Sequence, residues 1–188
     1  NFLTDKNIID EIIGACNIQK DDLVIEIGPG IGVLTNEAAG LAARVVAVEI
    51  DKYLIPILQD TLSEHNNVRI INADILKTDL AKIIEEEKNN FSGKVIVLGN
   101  LPYYILSAII MHILESGIDT DGIVVMMPDA VAARMNAAPG GKEYGKLSVA
   151  VQYRCNVTKI CDVPKSVFIP RPEVDSTVLK LQIIKDSP

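Results

Sequence analysis

The sequence predicts an α/β fold: one mostly parallel sheet, wound on both faces by helices. Three observations carry that expectation. Short β-rich runs alternate with helical stretches as far as Met127. Hydrophobic residues make up 48% of the 188-residue chain, yet aromatics only 4%, and Trp is absent, so aliphatic side chains must fill the core. Strands built that way suit burial on both sides of a parallel sheet. A glycine-rich turn also follows the first of the runs.

The elements are expected in this order. An amphipathic helix with charges throughout covers Thr4–Cys16. Strands are expected at Leu23–Ile27, Val45–Val48, Val68–Asn72, Lys94–Gly99 and Gly122–Met127. Helices fall between them near Ile31–Leu41, Tyr53–Glu64, Leu80–Lys88 and Leu106–Glu115. After Met127 the rhythm changes. Pro128–Ala137 reads as helix, and Pro139-Gly140-Gly141 as a loop. Two longer strand patterns follow, Leu147–Tyr153 and Thr177–Ile184, joined by the Pro-rich Val163–Pro172. No helix longer than a turn fits between them, so they are expected to pair antiparallel. The sum is one domain with a seven-stranded sheet, parallel but for one strand.

Net charge is −7, which argues against a general nucleic-acid binder. The distribution is uneven. Residues 1–125 hold 9 Lys and Arg against 19 Asp and Glu, whereas residues 126–188 hold 9 against 6. A polyanion site is therefore expected toward the C-terminal third. No apolar run reaches the roughly 18–20 residues that span a bilayer, and no signal-peptide pattern is present. Cys16, Cys155 and Cys161 lack metal-ligand spacing and read as reduced thiols, so no metal and a cytoplasmic setting are expected. The chain opens on Asn1-Phe2-Leu3 and stops just after a strand-like run, and is read as a piece of a longer protein.

Strand Leu23–Ile27 runs into Gly28-Pro29-Gly30-Ile31-Gly32 and then a helix. Alternate glycines let the backbone turn sharply and let a ligand lie against it without a Cβ clash. In open α/β sheets ligands sit beyond the C-terminal strand ends. Three ligand classes compete for such a turn. A phosphate-binding loop needs Gly-Lys-Ser/Thr, which is missing. A dinucleotide turn needs a third glycine where Val33 stands. Acidic Glu26 repels pyrophosphate but can pair with the amino group of a methionine moiety, which favours S-adenosylmethionine. Glu49 ends the second strand and can accept both ribose hydroxyls. Asp74 ends the third and can accept from an adenine amine. Each acid alone could equally be a helix cap or a solvated loop residue. Three acids on successive strand ends beside one glycine turn favour a site.

The fourth strand ends in Asn100-Leu101-Pro102-Tyr103-Tyr104. An aromatic amine is a poor nucleophile because its lone pair is delocalised. Two acceptors for its protons draw the nitrogen toward tetrahedral geometry and free the lone pair. The Asn100 side-chain oxygen and the Pro102 carbonyl suit that task, and Tyr103 can stack on a flipped base. No strong base is needed, since a sulfonium is already an activated methyl donor. Positioning and electrostatics would supply most of the rate. His65 and His112 lie away from the strand ends and are read as structural; Met126 and Met127 are read as core. Lys142, Lys146, Lys165 and Arg171 are left as ordinary surface charges.

With these motifs in order, the chain resembles the catalytic domain of the ribosomal RNA adenine dimethyltransferase family, of the bacterial small-subunit type. The macrolide-resistance methyltransferases of large-subunit rRNA are the neighbouring branch. The resemblance covers nearly the whole chain. It rests on Asn1-Phe2-Leu3, Glu26–Gly32 with Leu34-Thr35, Glu49-Ile50-Asp51, Asp74 and Asn100–Ile105. It continues through Arg134, Pro139-Gly140, Tyr144–Val149 and Val167–Ser176. It implies a Rossmann-like class I methyltransferase fold, S-adenosylmethionine as methyl donor and S-adenosylhomocysteine as product. It also implies that Asn1 and Leu3 close over the methionine end, with Gly28 and Gly30 under the cofactor. Glu49 would hold ribose and Asp74 adenine. Asn100 would touch both cofactor and target, and Phe168 would be a second aromatic in the base pocket.

The implied reaction dimethylates two adjacent adenosines of small-subunit rRNA in a pre-ribosomal particle, by a monomer that touches no membrane. A small C-terminal helical RNA-binding domain of the family is absent from these residues. Pro128-Asp129-Ala130 stands where the family has Gln-Lys-Glu, and Leu106 and Ala108 also depart from its pattern. Two other functions fit less well: a large-subunit rRNA methyltransferase of the resistance type, and a ribosome-assembly or nucleic-acid-binding factor on the same fold. The intact Glu49 and Asn100–Tyr103 favour the enzyme.

Overall fold

The computed structural model describes residues 1–101 and 103–185, without the side chain of Tyr103. Strands β1 (Phe2–Leu3), β2 (Leu23–Ile27), β3 (Arg44–Glu49), β4 (Val68–Asn72) and β5 (Val95–Asn100) come first. Strands β6 (Gly122–Pro128), β7 (Cys155–Val163), β8 (Phe168–Ile169) and β9 (Ser176–Ile183) complete the set. Helix α1 (Lys6–Cys16) leads from β1 into β2, and helices α2 (Val33–Ala39), α3 (Ile55–Thr61), α4 (Leu80–Glu86) and α5 (Leu106–Glu115) connect the parallel strands. Helices α6 (Asp129–Met135) and α7 (Lys146–Gln152) precede β7.

The main sheet has seven strands in the order β4-β3-β2-β5-β6-β9-β7. Strand β9 runs antiparallel to both neighbours, and every other pairing is parallel. The expected fold class is the observed one. Strand β2 is buried at all five positions, as a central parallel strand should be. Its side chains divide by the period-2 rule. Leu23, Ile25 and Ile27 join one core layer with Ile109, Ile110 and Ile113 of α5. Val24 joins the opposite layer with Ile12 of α1 and Ala38 of α2. Each fully buried Ile or Leu contributes roughly 1.5–3 kcal/mol of transfer free energy.

The C-terminal third departs from expectation at one element. Leu147–Tyr153, expected as a strand, lies almost wholly in helix α7. Leu147, Val149 and Val151 alternate, which imitates a strand, but Val149 is half exposed while Leu147 and Val151 face the core four residues apart. Ser148 accepts from the Gly145 N–H at 3.1 Å and donates to the Arg134 carbonyl, which starts the helix and ties it to α6. The strand that pairs with β9 is instead β7, with a register shift between Lys159 and Cys161. As a polar edge strand with a bulge it carries no clean apolar alternation.

Strand β1 makes a two-stranded ladder with β8, Leu3 opposite Phe168. Thr4 extends it by donating from N–H and hydroxyl to the Val167 carbonyl, at 2.9 and 2.8 Å. The N-terminus is thereby strapped to a segment more than 160 residues away.

Candidate active site

The sheet order reverses between β2 and β5, which puts a crevice beyond the C-terminal ends of both. A cavity of about 1180 Å³ opens there. Its floor is the glycine turn. Gly28, Gly30 and Gly32 all take positive φ, of 69°, 61° and 94°. A Cβ on Gly28 would lie 3.2 Å from the Asn100 carbonyl oxygen, and one on Gly30 would lie 3.2 Å from the Phe2 ring. The turn is thus closed between β5 on one side and the N-terminal strap on the other. Only glycine leaves room there for a third body.

Glu26 and Glu49 stand on either side of this turn, both buried and both on the cavity wall. The Thr35 hydroxyl donates to Glu26 from the first turn of α2. Burial pushes the Glu26 carboxyl up to about 7; the Thr35 hydrogen bond lowers it, and the Glu49 charge adds to the rise. Among the described residues no cation pairs with Glu26, and a ligand ammonium would complete it. Glu49 uses one carboxylate oxygen to accept from Gly30 N–H at 3.1 Å and the other from Asp51 N–H at 3.0 Å. Each oxygen keeps a lone pair for a further donor. Glu49 therefore holds the turn in place as well as facing the cavity.

Asp74 sits at the neighbouring strand end but outside the cavity lining. Its Oδ1 caps the 3-10 turn Ile75–Lys77 by accepting from Leu76 N–H at 3.0 Å. The cap and the site readings of Asp74 are compatible, because Oδ2 has no partner among the described residues. Asn72 ties this end to β3 by donating to the Glu49 and Ile50 carbonyls, at 2.8 and 3.2 Å.

Asn100 closes β5 opposite Met126 and lines the cavity. Its side chain makes no hydrogen bond among the described residues, so its amide oxygen is available to a ligand. Pro102 and the Tyr103 side chain lie outside the described residues. Phe168, Asn1 and Leu3 all reach the cavity wall through the strap. The crevice thus brings together Asn1, Leu3, Glu26, Gly28, Gly30, Glu49, Asn100 and Phe168. Met126 and Met127 are buried as expected, yet they also line the cavity.

Several residues to which the sequence assigns no site role are brought to this region by the fold. Phe2 packs over Gly30, Thr35 donates to Glu26, and Lys165 and Arg171 reach the cavity wall. None carries a spacing signal. They arrive by the β1–β8 ladder and by the pitch of α2, which only the folded chain reveals.

A seven-stranded sheet with its penultimate strand in space reversed, and a glycine turn at the switch point, defines the class I methyltransferase fold. Comparison with known proteins narrows this. The chain belongs to the ribosomal RNA adenine dimethylase family, whose family model matches residues 1–188. It is 52% identical over 184 residues to a ribosomal RNA small subunit methyltransferase A of Alkaliphilus metalliredigens, covering 97% of this chain and 63% of that protein. The protein of the same name from Clostridioides difficile is 50% identical, with the same coverage. The chain thus spans under two thirds of the length of these curated relatives. Among solved structures, a dimethyladenosine transferase from Plasmodium falciparum superposes with a TM-score of 0.86 at 32% identity. That match covers 98% of this chain and 64% of the other. The 23S rRNA methyltransferase ErmE gives 0.83 at 28% identity, covering 98% and 70%.

Proposed function

We propose that this chain is the catalytic domain of an S-adenosylmethionine-dependent methyltransferase that dimethylates adjacent adenosines of small-subunit rRNA. The observation that carries the reading is the cradle itself: two buried acids flank a turn of glycines held at positive φ, one strand away from an Asn100 whose side chain has no partner among the described residues. Roughly 50% identity to small subunit methyltransferases, against 28% to a 23S rRNA enzyme, supports the choice of RNA.

The residues divide as follows. Glu26 pairs with the cofactor amino group, Asn1 and Leu3 close over the methionine end, and Gly28 and Gly30 let it lie close. Glu49 accepts the ribose hydroxyls and Asp74 the adenine amine. When bound, the sulfonium supplies an activated methyl group. Asn100 Oδ1 and the Pro102 carbonyl take the two amine protons of the target in hydrogen bonds, so its lone pair turns toward the methyl group. Tyr103 and Phe168 sandwich the extruded base. No metal takes part, and the setting is a cytoplasmic monomer acting on a pre-ribosomal particle. Among the described residues no helix is long and apolar enough to cross a membrane.

The test is methyl transfer by the full-length protein to unmethylated small-subunit particles. About four methyl groups per particle are expected, as two dimethylated adenosines require. Preferential transfer to large-subunit RNA would move the protein to the resistance-type branch. Tight particle binding without transfer would make it an assembly factor.

A further inference from the structure

His112 lies in α5, an apolar helix, and reads in the sequence as a structural residue. In the structure its imidazole leaves the core layer and reaches sideways. Nε2 lies 2.9 Å from the Thr78 carbonyl oxygen. A carbonyl only accepts, so Nε2 carries the proton. Thr78 closes the turn that Asp74 opens: its hydroxyl donates to the Asp74 carbonyl at 2.7 Å, and its N–H to the Ile75 carbonyl at 3.2 Å. Asp74 in turn has Oδ1 fixed by Leu76 N–H, which leaves Oδ2 its one free direction. Ile75 is buried in the same core layer as α5. Among the described residues, the His112 bond is the one hydrogen bond from another element to residues 74–78.

We propose that His112 is a positioning residue for cofactor recognition: by holding the Thr78 carbonyl it sets the Asp74–Thr78 turn so that the Asp74 carboxylate meets the adenine amine. The proposal rests on the reading of Asp74 as the adenine acceptor. It also gives α5 two ends with two tasks. Its N-terminus follows directly from the Asn100–Ile105 segment that receives the target. Its C-terminal half braces the turn that receives the cofactor.

The experiment compares S-adenosylhomocysteine with its inosine counterpart, in which a carbonyl replaces the amine at C6. Calorimetry on the full-length protein measures both, in wild type, Asp74→Ala, His112→Phe and His112→Gln. Wild type is expected to prefer the adenosine ligand by about tenfold or more, since the inosine carbonyl would face a carboxylate. Loss of that preference in Asp74→Ala, with its presence in wild type, establishes the Asp74 contact separately. In His112→Phe the preference should collapse toward unity and the cofactor KM should rise about tenfold, with kcat within about twofold. His112→Gln, which keeps a donor, should recover most of the preference. A His112→Phe protein that folds and keeps the wild-type preference overturns the proposal. Imidazole nitrogen NMR of the wild type gives a readout that needs no variant. In the neutral imidazole the proton must sit on Nε2, and an Nδ1–H tautomer overturns the proposal outright.

Discussion

Under the proposed function the crevice has a cofactor side and a target side, and the two are built in different ways. The cofactor side, from β2 to the Ile75 turn, is made of strand ends and tight turns whose functional groups are held mostly by their own turns and by adjoining strand ends. Glu49 fixes Gly30 and Asp51; Asp74 caps its own turn; Gly28 N–H donates to the Val48 carbonyl at 3.0 Å. The target side, from β6 to β9, is assembled from distant parts. Phe168 reaches the cavity by pairing with Leu3, and Asp129 accepts from Thr177 at 2.7 Å across 48 residues. Charge follows the same division, with the acidic excess confined to residues 1–125. A side built locally tolerates little change at single positions. A side built from long-range pairings spreads its dependence over several weak ties.

The largest effect is expected where the two sides meet. Asn100→Ala should lower kcat by about 10³-fold, because a preorganised acceptor acting in the transition state is removed. Cofactor affinity should change far less. Single-turnover transfer beside calorimetry makes the comparison, and turnover near the wild-type rate would sink the Asn100 mechanism. Gly28→Ala comes next. It places a Cβ against the Asn100 carbonyl and forces alanine into positive φ, at a cost of about 1–3 kcal/mol in urea unfolding. Cofactor binding should weaken with it. A neutral Gly28→Ala would mean that the turn is looser than its geometry shows.

The same division explains what was legible in the sequence. Glu26, Gly28, Glu49, Asp74 and Asn100 are recognisable because each sits at a strand end, and strand ends are readable from local apolar runs. The parallel strands and helices α1 to α5 follow for the same reason. Leu147–Tyr153 failed because its apolar alternation is shared by a strand and by a helix with one exposed valine; the choice was made by Ser148 reaching Arg134. Strand β7 failed because an edge strand needs few apolar residues. Phe2 and Thr35 belong to the site only through tertiary placement.

Glu26 gives the cofactor side a pH signature. Its folded value near 7 lies above the ordinary 4.5 of an unfolded carboxyl. Between those values the folded chain keeps a proton that the unfolded chain has lost. The stabilisation is therefore full below about pH 4.5 and disappears as pH rises through 7. A bound ammonium favours the ionised form, so cofactor affinity should rise with pH up to about 7 and then level off. Titration at pH 6 in buffers of different ionisation enthalpy should show close to one proton released on binding. Glu26→Gln should flatten both profiles and weaken binding about tenfold. Proton uptake on binding would contradict this account.

The smallest effect is expected on the target side, and it asks where RNA approaches. Asp129 begins α6 at the cavity mouth, exposed, with its N–H donating to the Asp175 carbonyl at 3.1 Å. Asp175 in turn accepts from Lys165 N–H at 2.8 Å. Two carboxylates thus stand beside Lys165 and Arg171, where phosphates would have to pass. Asp129→Lys removes one repulsion and adds one cation. It should steepen the dependence of log affinity on log salt by about one and tighten RNA binding at low salt. The lost bond leaves the buried Thr177 hydroxyl without its acceptor and should cost about 1 kcal/mol of stability. Cofactor affinity should stay at the wild-type value, since Asp129 belongs to the other side. An unchanged salt slope would mean that the RNA enters from the β4 edge instead, past the exposed Ile50 and Tyr53. The acidic half of the crevice would then have to accommodate phosphates, a role its charge does not fit.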